Sequence, residues 1–393
     1  MSDDRAADSP ADVSRRALLA TGAAALAAGC QVGPLEGDDP GRTVAVDCDR
    51  STGWRQYQTD AANSGVRAAR PPSLDGDIER LAPVGERNGG VAVGDDGVYF
   101  GDQQSVRALD VAGRERWRRE FRSLVYATPV LVCDAVVVQA STRTVALDRG
   151  DGTTLWEADA GAQFSEPLFD GERLFVAGGV TAAVDVADGT VRWSTDLDVD
   201  PWGCCLGDGT LVVAGPTDDG GALVGLDAAS GERLWRTDLS RALKAAPTFR
   251  DGVAYVPDEG NGVHAVDAAT GDLLWQRRPY DEIPGDRRAS SPTATGESVV
   301  VPSGNGGTTV GVDPSTGERR WSVETGPTLA PPVATGAGVL VGTMNEGLFR
   351  VGPDGDVRGR RSDTRAGSQM ALTDAGLFYK TAGLDPGLVR FTE

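Results

Sequence analysis

The chain has 393 residues, of which 40% are hydrophobic, 53 are Gly and 22 are Pro. This composition excludes a disordered chain and suits a globular protein with many turns. The formal net charge of -20 argues against nucleic acid as a partner, because phosphates and surface carboxylates repel each other. Length alone allows two average domains or one large all-β domain.

The basic residues are almost all Arg, since Lys occurs only at Lys244 and Lys380. An acidic, Lys-poor surface resembles that of proteins from extreme halophiles, in which carboxylates hold hydration water in concentrated salt. The alternative interpretation is an acidic secreted protein from a GC-rich genome.

Residues 1–30 have the pattern of an export signal. Ser14-Arg15-Arg16 precedes the weakly hydrophobic segment 17–29 and resembles a twin-arginine (Tat) signal. The apolar segment is too short for a transmembrane helix. Ala27-Ala28-Gly29-Cys30 resembles a lipobox, which predicts lipidation at Cys30. We therefore expect a protein exported through Tat and lipid-anchored at the outer face of the cytoplasmic membrane, with residues 31–50 as a tether.

A motif of Asp, Gly and Trp recurs six times after residue 100, with successive Trp residues 37 to 46 positions apart. That period matches one four-stranded propeller blade per copy. The short β-branched runs between turn residues also favour strands over helices. The copies are Asp110 and Trp117 (shortened, with Gly113); Asp148, Gly152 and Trp156; Asp185, Gly189 and Trp193; Asp227, Gly231 and Trp235; Asp267, Gly271 and Trp275; and Asp313, Gly317 and Trp321.

Each member of the motif has a structural role that its chemistry predicts. Asp can accept backbone N–H groups inside a turn, and Gly can take a positive φ without steric cost. Trp can bury a large ring between two blades while its indole N–H finds a partner. We interpret all these residues as structural rather than ligand-binding.

The repeat continues past Trp321 in a weaker form. A seventh unit, from Pro332 to Gly355, lacks its Trp, and an eighth supplies about three strands before the chain ends. The missing outer strand is expected around residues 77–84, which would close the ring with strands from both ends and remove exposed sheet edges. The sequence thus predicts an all-β, eight-bladed propeller over residues 51–393, with seven blades as the alternative.

The A-x-D-x-x-T-G-x-x-x-W motif at residues 265–275 resembles the PQQ-type (pyrroloquinoline-quinone-like) β-propeller repeat. This repeat occurs in quinoprotein alcohol dehydrogenases and in BamB-like lipoproteins of the bacterial outer-membrane assembly machinery. Trp54-Arg55-Gln56-Tyr57-Gln58 and Asn63-Ser64-Gly65 also resemble the start of such propellers. The resemblance covers the whole mature domain and implies the fold, but not an activity, because the repeat serves both enzymes and scaffolds.

A quinoprotein enzyme would need PQQ on the propeller axis, a Ca²⁺ ion and an Asp base. No ligand set for these groups can be carried over to this chain. Cys204-Cys205 is a vicinal pair, as in these dehydrogenases, but the residues around it differ from theirs. The sequence leaves open whether the pair forms two thiols or a disulfide. Cys204 aligns with Pro167, the start of an innermost strand near the channel mouth. Glu166 would line the channel, where it either contacts a ligand or is solvated.

The other Cys residues and the single His give no metal-site spacing. After Cys30, four Cys remain and allow three full pairings in an oxidising compartment. Cys133 is expected at a strand end as a buried thiol, and Cys48 lies in the tether without an evident partner. His264 is expected to be structural or exposed.

We therefore expect a non-catalytic propeller scaffold that binds other cell-surface or membrane proteins, with no metal and no cofactor. The first alternative is a PQQ-dependent or other redox enzyme with its site at the channel mouth, near Glu166, Cys204 and Cys205. The second is binding of a small ligand or glycan in the channel.

Overall fold

The computed structural model describes residues 42–48, 53–68, 70–85, 89–161, 165–280, 290–304 and 306–392. These residues form eight four-stranded antiparallel sheets and contain no helix. Within the same ranges there is accordingly no apolar helix of membrane-spanning length. The predicted all-β, eight-bladed propeller is confirmed, and the seven-blade alternative is wrong.

Blades 1 to 4 follow one another along the chain, each running from its innermost to its outermost strand. Blade 1 consists of β2 (Val91–Val93), β3 (Val98–Asp102), β4 (Ser105–Leu109) and β5 (Glu115–Glu120). Blade 2 consists of β6 (Val130–Val132), β7 (Ala135–Ala140), β8 (Arg143–Asp148) and β9 (Thr154–Ala158). Blade 3 consists of β10 (Leu168–Phe169), β11 (Arg173–Ala177), β12 (Val180–Asp185) and β13 (Val191–Asp196). Blade 4 consists of β14 (Gly203–Gly207), β15 (Thr210–Thr217), β16 (Gly220–Asp227) and β17 (Arg233–Leu239).

Blades 5 to 7 repeat this order, and blade 8 combines both ends of the described domain. Blade 5 consists of β18 (Thr248–Arg250), β19 (Val253–Pro257), β20 (Val263–Asp267) and β21 (Leu273–Arg277). Blade 6 consists of β22 (Thr293–Ala294), β23 (Val299–Pro302), β24 (Thr308–Val312) and β25 (Arg319–Glu324). Blade 7 consists of β26 (Val333–Thr335), β27 (Gly338–Gly342), β28 (Leu348–Val351) and β29 (Val357–Arg361). Blade 8 consists of β30 (Ala371–Thr373), β31 (Gly376–Lys380), β32 (Gly387–Thr392) and β1 (Asp77–Pro83).

The ring closes as the sequence predicts. β1 pairs antiparallel with β32, with Asp77 opposite Thr392 and Pro83 opposite Gly387. β1 therefore supplies the outermost strand that the C-terminal unit lacks, and blade 8 in turn contacts blade 1 through β30 and β2. Joining the two ends in one sheet couples their unfolding and leaves blade 8 with four strands like the others.

The Asp–Gly–Trp motif joins consecutive blades from blade 1 to blade 6. Asp267 accepts the N–H groups of Ala269 and Thr270 through Oδ1, both at 2.9 Å, which holds the turn between β20 and β21. Gly271 has φ +80° and lies against the preceding blade's Trp235, so that an added Cβ would come within 2.7 Å of the ring. The same Gly-on-Trp stacking occurs for Gly152, Gly189, Gly231 and Gly317. At these five interfaces the Gly therefore lies in direct contact with the Trp of the preceding blade.

The apolar core is divided among the blade interfaces. One cluster combines Tyr99 and Trp117 of blade 1 with Leu131 and Val136 of blade 2. Other clusters join later pairs of blades in the same way. Because alternate residues of a strand face opposite sides, each central strand contributes to two of these clusters and carries a nearly continuous apolar run.

The four cysteines after Cys30 are arranged differently from the sequence-based expectation. Cys48 and Cys133 form a disulfide with their Cα atoms 5.8 Å apart, so the expectation of a Cys133 thiol and of no partner for Cys48 was wrong. The pairing is possible because residues 42–48 lie against the propeller. The N–H of Val44 donates to Ala187 O of blade 3 at 2.8 Å, and Arg42 forms an ion pair with Asp134 of blade 2.

Candidate functional site

One segment of consecutive turns, residues 54–67 (the axial segment), lies at the propeller axis and bonds to the innermost strands around it. Its backbone and amide side chains reach seven of the eight blades. The backbone bonds are Trp54 with Val93 in both directions at 2.7 Å, Leu131 N–H to Arg55 O at 2.7 Å, Leu206 N–H to Ala61 O at 2.8 Å, Phe249 N–H to Ala62 O at 2.8 Å, and Ala334 N–H to Gly65 O at 2.8 Å.

Three amide side chains complete this network. Gln56 donates to Phe169 O at 3.0 Å and accepts from Phe169 N–H at 2.8 Å. Gln58 donates to Pro292 O at 2.8 Å. Asn63 donates to Cys204 O at 2.7 Å and to Pro247 O at 3.0 Å. Neutral amides can both donate and accept, so they satisfy the inner strands' free polar groups.

Glu166 lies just before Pro167 and the innermost strand β10. Its Oε2 accepts the backbone N–H of Thr128 in blade 2 at 2.6 Å. Burial raises the pKa of Glu166 to about 7, although the Thr128 hydrogen bonds and the charge of Lys380 act in the opposite direction. A carboxyl group in this state is only partly ionised at neutral pH.

Tyr57 of the axial segment lies close enough to Glu166 to interact with its charge. Burial, followed by the negative charge of Glu166, raises the pKa of the Tyr57 phenol above its ordinary range. The Tyr57 hydroxyl donates to Ser291 Oγ at 2.9 Å. The surroundings of Glu166 therefore include the axial segment as well as the ends of the blades.

Cys204 and Cys205 are buried free thiols in the innermost strand β14. Cys204 packs into the core between blades 3 and 4 and Cys205 into the core between blades 4 and 5, because neighbouring strand residues point to opposite faces. Burial raises the pKa of Cys204 to about 12 and that of Cys205 well above its ordinary value. Protonated, solvent-shielded thiols are poor nucleophiles.

The residues around the axis do not fit the calcium ion of a PQQ site. PQQ is a polyanion, and it needs cationic partners and several oxygen ligands for the metal. Among the described residues, no group of three or more His, Cys, Asp or Glu side chains could hold a metal ion. Cations are present, since buried Arg55 belongs to the axial segment and buried Lys380 acts on Glu166, but the bonds of the axial segment to backbone groups and neutral amides occupy the axis.

His264 is buried in β20 beside Asp258, with Nε2 and Oδ2 2.8 Å apart. Asp258 also accepts the N–H groups of Gly260 and Gly262, both at 2.7 Å. The pair therefore braces the turn between β19 and β20. Cys30, the predicted lipidation site, lies outside the described residues.

Sequence reasoning missed the course of residues 54–67. The Trp54–Gln58 motif marks the start of the domain, but its hydrogen bonds are with residues far along the chain, and spacing carries no signal for them. It also missed a cavity beside Trp321.

The closed ring, its Asp–Gly–Trp joints and the filled axis define a PQQ-type β-propeller protein. The family model described as outer membrane protein assembly factor BamB matches residues 40–201 and, a second time, residues 177–348. These matches span most of the chain, which therefore belongs to this family. No curated protein matches it.

Solved structures with the same fold have diverse roles. BamB from Moraxella catarrhalis has a TM-score of 0.61 and 17% identity, with 81% of this chain and 98% of that one covered. Quinohemoprotein alcohol dehydrogenase from Comamonas testosteroni has a TM-score of 0.71 and 12% identity, covering 87% and 81%. The computationally designed Ika8 protein has a TM-score of 0.64 and 16% identity, covering 80% and 100%. At these identities the similarity shows the fold alone.

Proposed function

We propose that this propeller scaffold is an exported, lipid-anchored protein that binds other proteins of the cell surface or membrane and has no catalytic activity of its own. The observation that carries the proposal is the filled axis. Residues 54–67 occupy it with bonds to seven blades, and the described residues there offer no cluster of metal-ligating side chains. The blade faces and edges then remain as contact surfaces.

The exported location rests on the sequence and on one covalent bond. Ser14-Arg15-Arg16 and the lipobox ending at Cys30 are the signals for Tat export and lipidation. The Cys48–Cys133 disulfide supports a compartment outside the reducing cytosol. Tat carries folded proteins, so this bond would form after the propeller has closed.

Exposed apolar residues on the outer strands supply positions at which to look for partners. Leu234 of β17 and Leu274 of β21 are 50% and 51% exposed on neighbouring blades. The chain has only two Lys residues, and Lys380 is fully buried. Amine-reactive cross-linkers would therefore report poorly on this surface, and a photoreactive side chain is the better probe.

The test is in-cell photo-cross-linking of the full chain with benzoylphenylalanine at Leu274, followed by membrane fractionation. We expect the chain in the membrane fraction, with discrete adducts to membrane proteins, and we expect Cys30→Ser to release it and reduce those adducts at least tenfold. Membrane retention of Cys30→Ser would contradict the lipid anchor. A fully retained chain that gives no adducts from Leu274 or Leu234 would contradict the binding role.

A further inference from the structure

Residues 42–48, which we call the strap, lie on the propeller although they precede the axial segment in the chain. The N–H of Ala45 donates to Asp134 Oδ1 in blade 2 at 2.9 Å, and the N–H of Val44 donates to Ala187 O in blade 3 at 2.8 Å. The Val44 side chain is 3% exposed and packs into the core between these two blades. The strap therefore joins blades 2 and 3 near their motif turns.

The described non-covalent contacts of the strap are weak for its length. Besides the two hydrogen bonds, the half-buried Val46 packs on the same core, and the exposed Arg42 pairs with the carboxylates of Asp134 and Asp148. Ordering a segment costs conformational entropy at every residue, and one buried valine with exposed ion pairs offsets only part of that cost. The disulfide at the end of the strap is therefore the bond that holds it in place.

This disulfide is accessible to other thiols and disulfides. Cys48 and Cys133 are partly exposed, whereas Cys204 and Cys205 are buried free thiols. Thiol–disulfide exchange needs an accessible thiolate and an accessible sulfur, so the buried pair does not compete for the pairing. The Cys48–Cys133 bond can thus open and close while the propeller stays folded.

The strap changes the point at which the N-terminal chain meets the propeller. With the strap docked, the first described residue held on the propeller is Arg42, twelve residues after Cys30; without it, that residue is Trp54 on the axis, twenty-four residues after Cys30. Chain length alone limits the reach from Cys30 to about 40 Å in the first case and about 80 Å in the second. Attachment on the axis favours no blade, whereas the docked strap attaches the chain at one side of the ring.

We propose that the strap is a redox latch that closes after export and sets the orientation of the anchored propeller. The closed latch holds blades 2 and 3 toward the membrane. Blades 6 and 7, on the opposite side of the eight-bladed ring, then face away from it and are open to partner proteins. This inference rests on the lipid anchor of the proposed function and adds the side from which partners approach.

The closing step is a thiol–disulfide exchange. Cys48 and Cys133 are thiols in the reducing cytosol, and outside it they meet an oxidant that carries a disulfide. One Cys thiolate attacks that disulfide to form a mixed disulfide, and the other displaces the oxidant's thiolate. The protein loses two electrons and gains one S–S bond, and the oxidant leaves as a dithiol that carries the two protons.

Hydrogen exchange of the unlipidated Cys30→Ser chain tests the latch without the anchor. The oxidised protein is compared with the same protein after reduction by dithiothreitol and with the Cys48→Ser/Cys133→Ser variant. Reduction acts on protein that has already folded, so misfolding of the variant cannot be mistaken for release of the strap. The N–H of Phe249, bonded to Ala62 O at 2.8 Å in the ring, is the control.

We expect the Val44 and Ala45 amides to exchange about tenfold faster or more in the reduced protein and in the double variant, because both N–H groups lose their acceptors. The Phe249 amide should exchange at the same rate in all three. Strap amides that exchange as slowly after reduction as before it would overturn the latch, since the non-covalent contacts would then hold the strap by themselves.

Two equivalent exposed valines report the orientation. Val191 in β13 of blade 3 and Val357 in β29 of blade 7 pair with Val184 and Val351 at the same place in their blades. They are 41% and 49% exposed and lie on opposite sides of the ring. A coumarin amino acid at either position serves as the donor for energy transfer. The acceptor is a labelled lipid in vesicles prepared from the membranes of cells that express the full chain.

We expect energy transfer in the oxidised protein to be about twice as efficient or more from Val191 as from Val357. In the Cys48→Ser/Cys133→Ser variant the two efficiencies should be nearly equal, because the chain then meets the propeller on the axis. Equal transfer from both positions in the oxidised protein would overturn the orientation. A chain that is not retained on the vesicles would contradict the lipid anchor and the orientation with it, while hydrogen exchange would still decide the latch.

Discussion

Replacement of Cys48 and Cys133 with Ser is expected to lower the free energy of unfolding by about 4 kcal/mol. The disulfide closes a loop with a sequence separation of 85, and its loss restores the conformational entropy of that loop to the unfolded chain. It also frees residues 42–48, where Val44 is buried between blades 2 and 3. Urea unfolding of the oxidised protein and the double variant, in the same salt, measures the difference.

The single variants provide the control for the disulfide. Cys48→Ser and Cys133→Ser should each cost nearly as much as the pair, because either one removes the whole bond and the effects cannot add. If the double variant unfolded within 1 kcal/mol of the native chain, the bond would have no structural role.

The second large effect is expected for Gly271→Ala, which should lower the free energy of unfolding by about 3 kcal/mol. Gly271 has φ +80°, a conformation that costs an L-residue about 1–2 kcal/mol. An added Cβ would also lie 2.7 Å from Trp235 Cδ2, so the ring must move out of its packed position between the blades. Chemical denaturation of the purified domain measures the loss.

Gly252→Ala separates these two contributions. Gly252 has nearly the same φ, +83°, but an added Cβ would have no atom within 4 Å. This variant should therefore cost only about 1–2 kcal/mol from backbone strain. Equal losses for Gly271→Ala and Gly252→Ala would show that the Gly–Trp contact does not hold the blades together.

The fold could be predicted because its determinants are local and repeated. Each Asp, Gly and Trp acts within one turn or between that turn and the neighbouring blade, as the Asp267–Gly271 turn and Trp235 show. The period fixed the number of strands per blade, and the incomplete last unit indicated that β1 had to supply a strand to blade 8.

The remaining features depend on contacts that spacing does not encode. Cys48 pairs with Cys133 because residues 42–48 cross blades 2 and 3, which a Gly- and Pro-rich composition did not suggest. Asn63 bonds to Cys204 and Pro247, far along the chain. Glu166 could be placed near the channel from the sequence, but its shifted pKa depends on burial that only the folded ring creates.

The measurement that tests the central account most directly is titration of the purified, folded protein with PQQ and Ca²⁺. Calorimetry and the absorbance of the quinone would measure binding, and dye-linked alcohol oxidation would measure activity. The filled axis and the neutral amides of Gln56, Gln58 and Asn63 predict no stoichiometric binding and no turnover. Tight binding of one PQQ per chain with alcohol-dependent dye reduction would contradict the scaffold function and establish a redox enzyme.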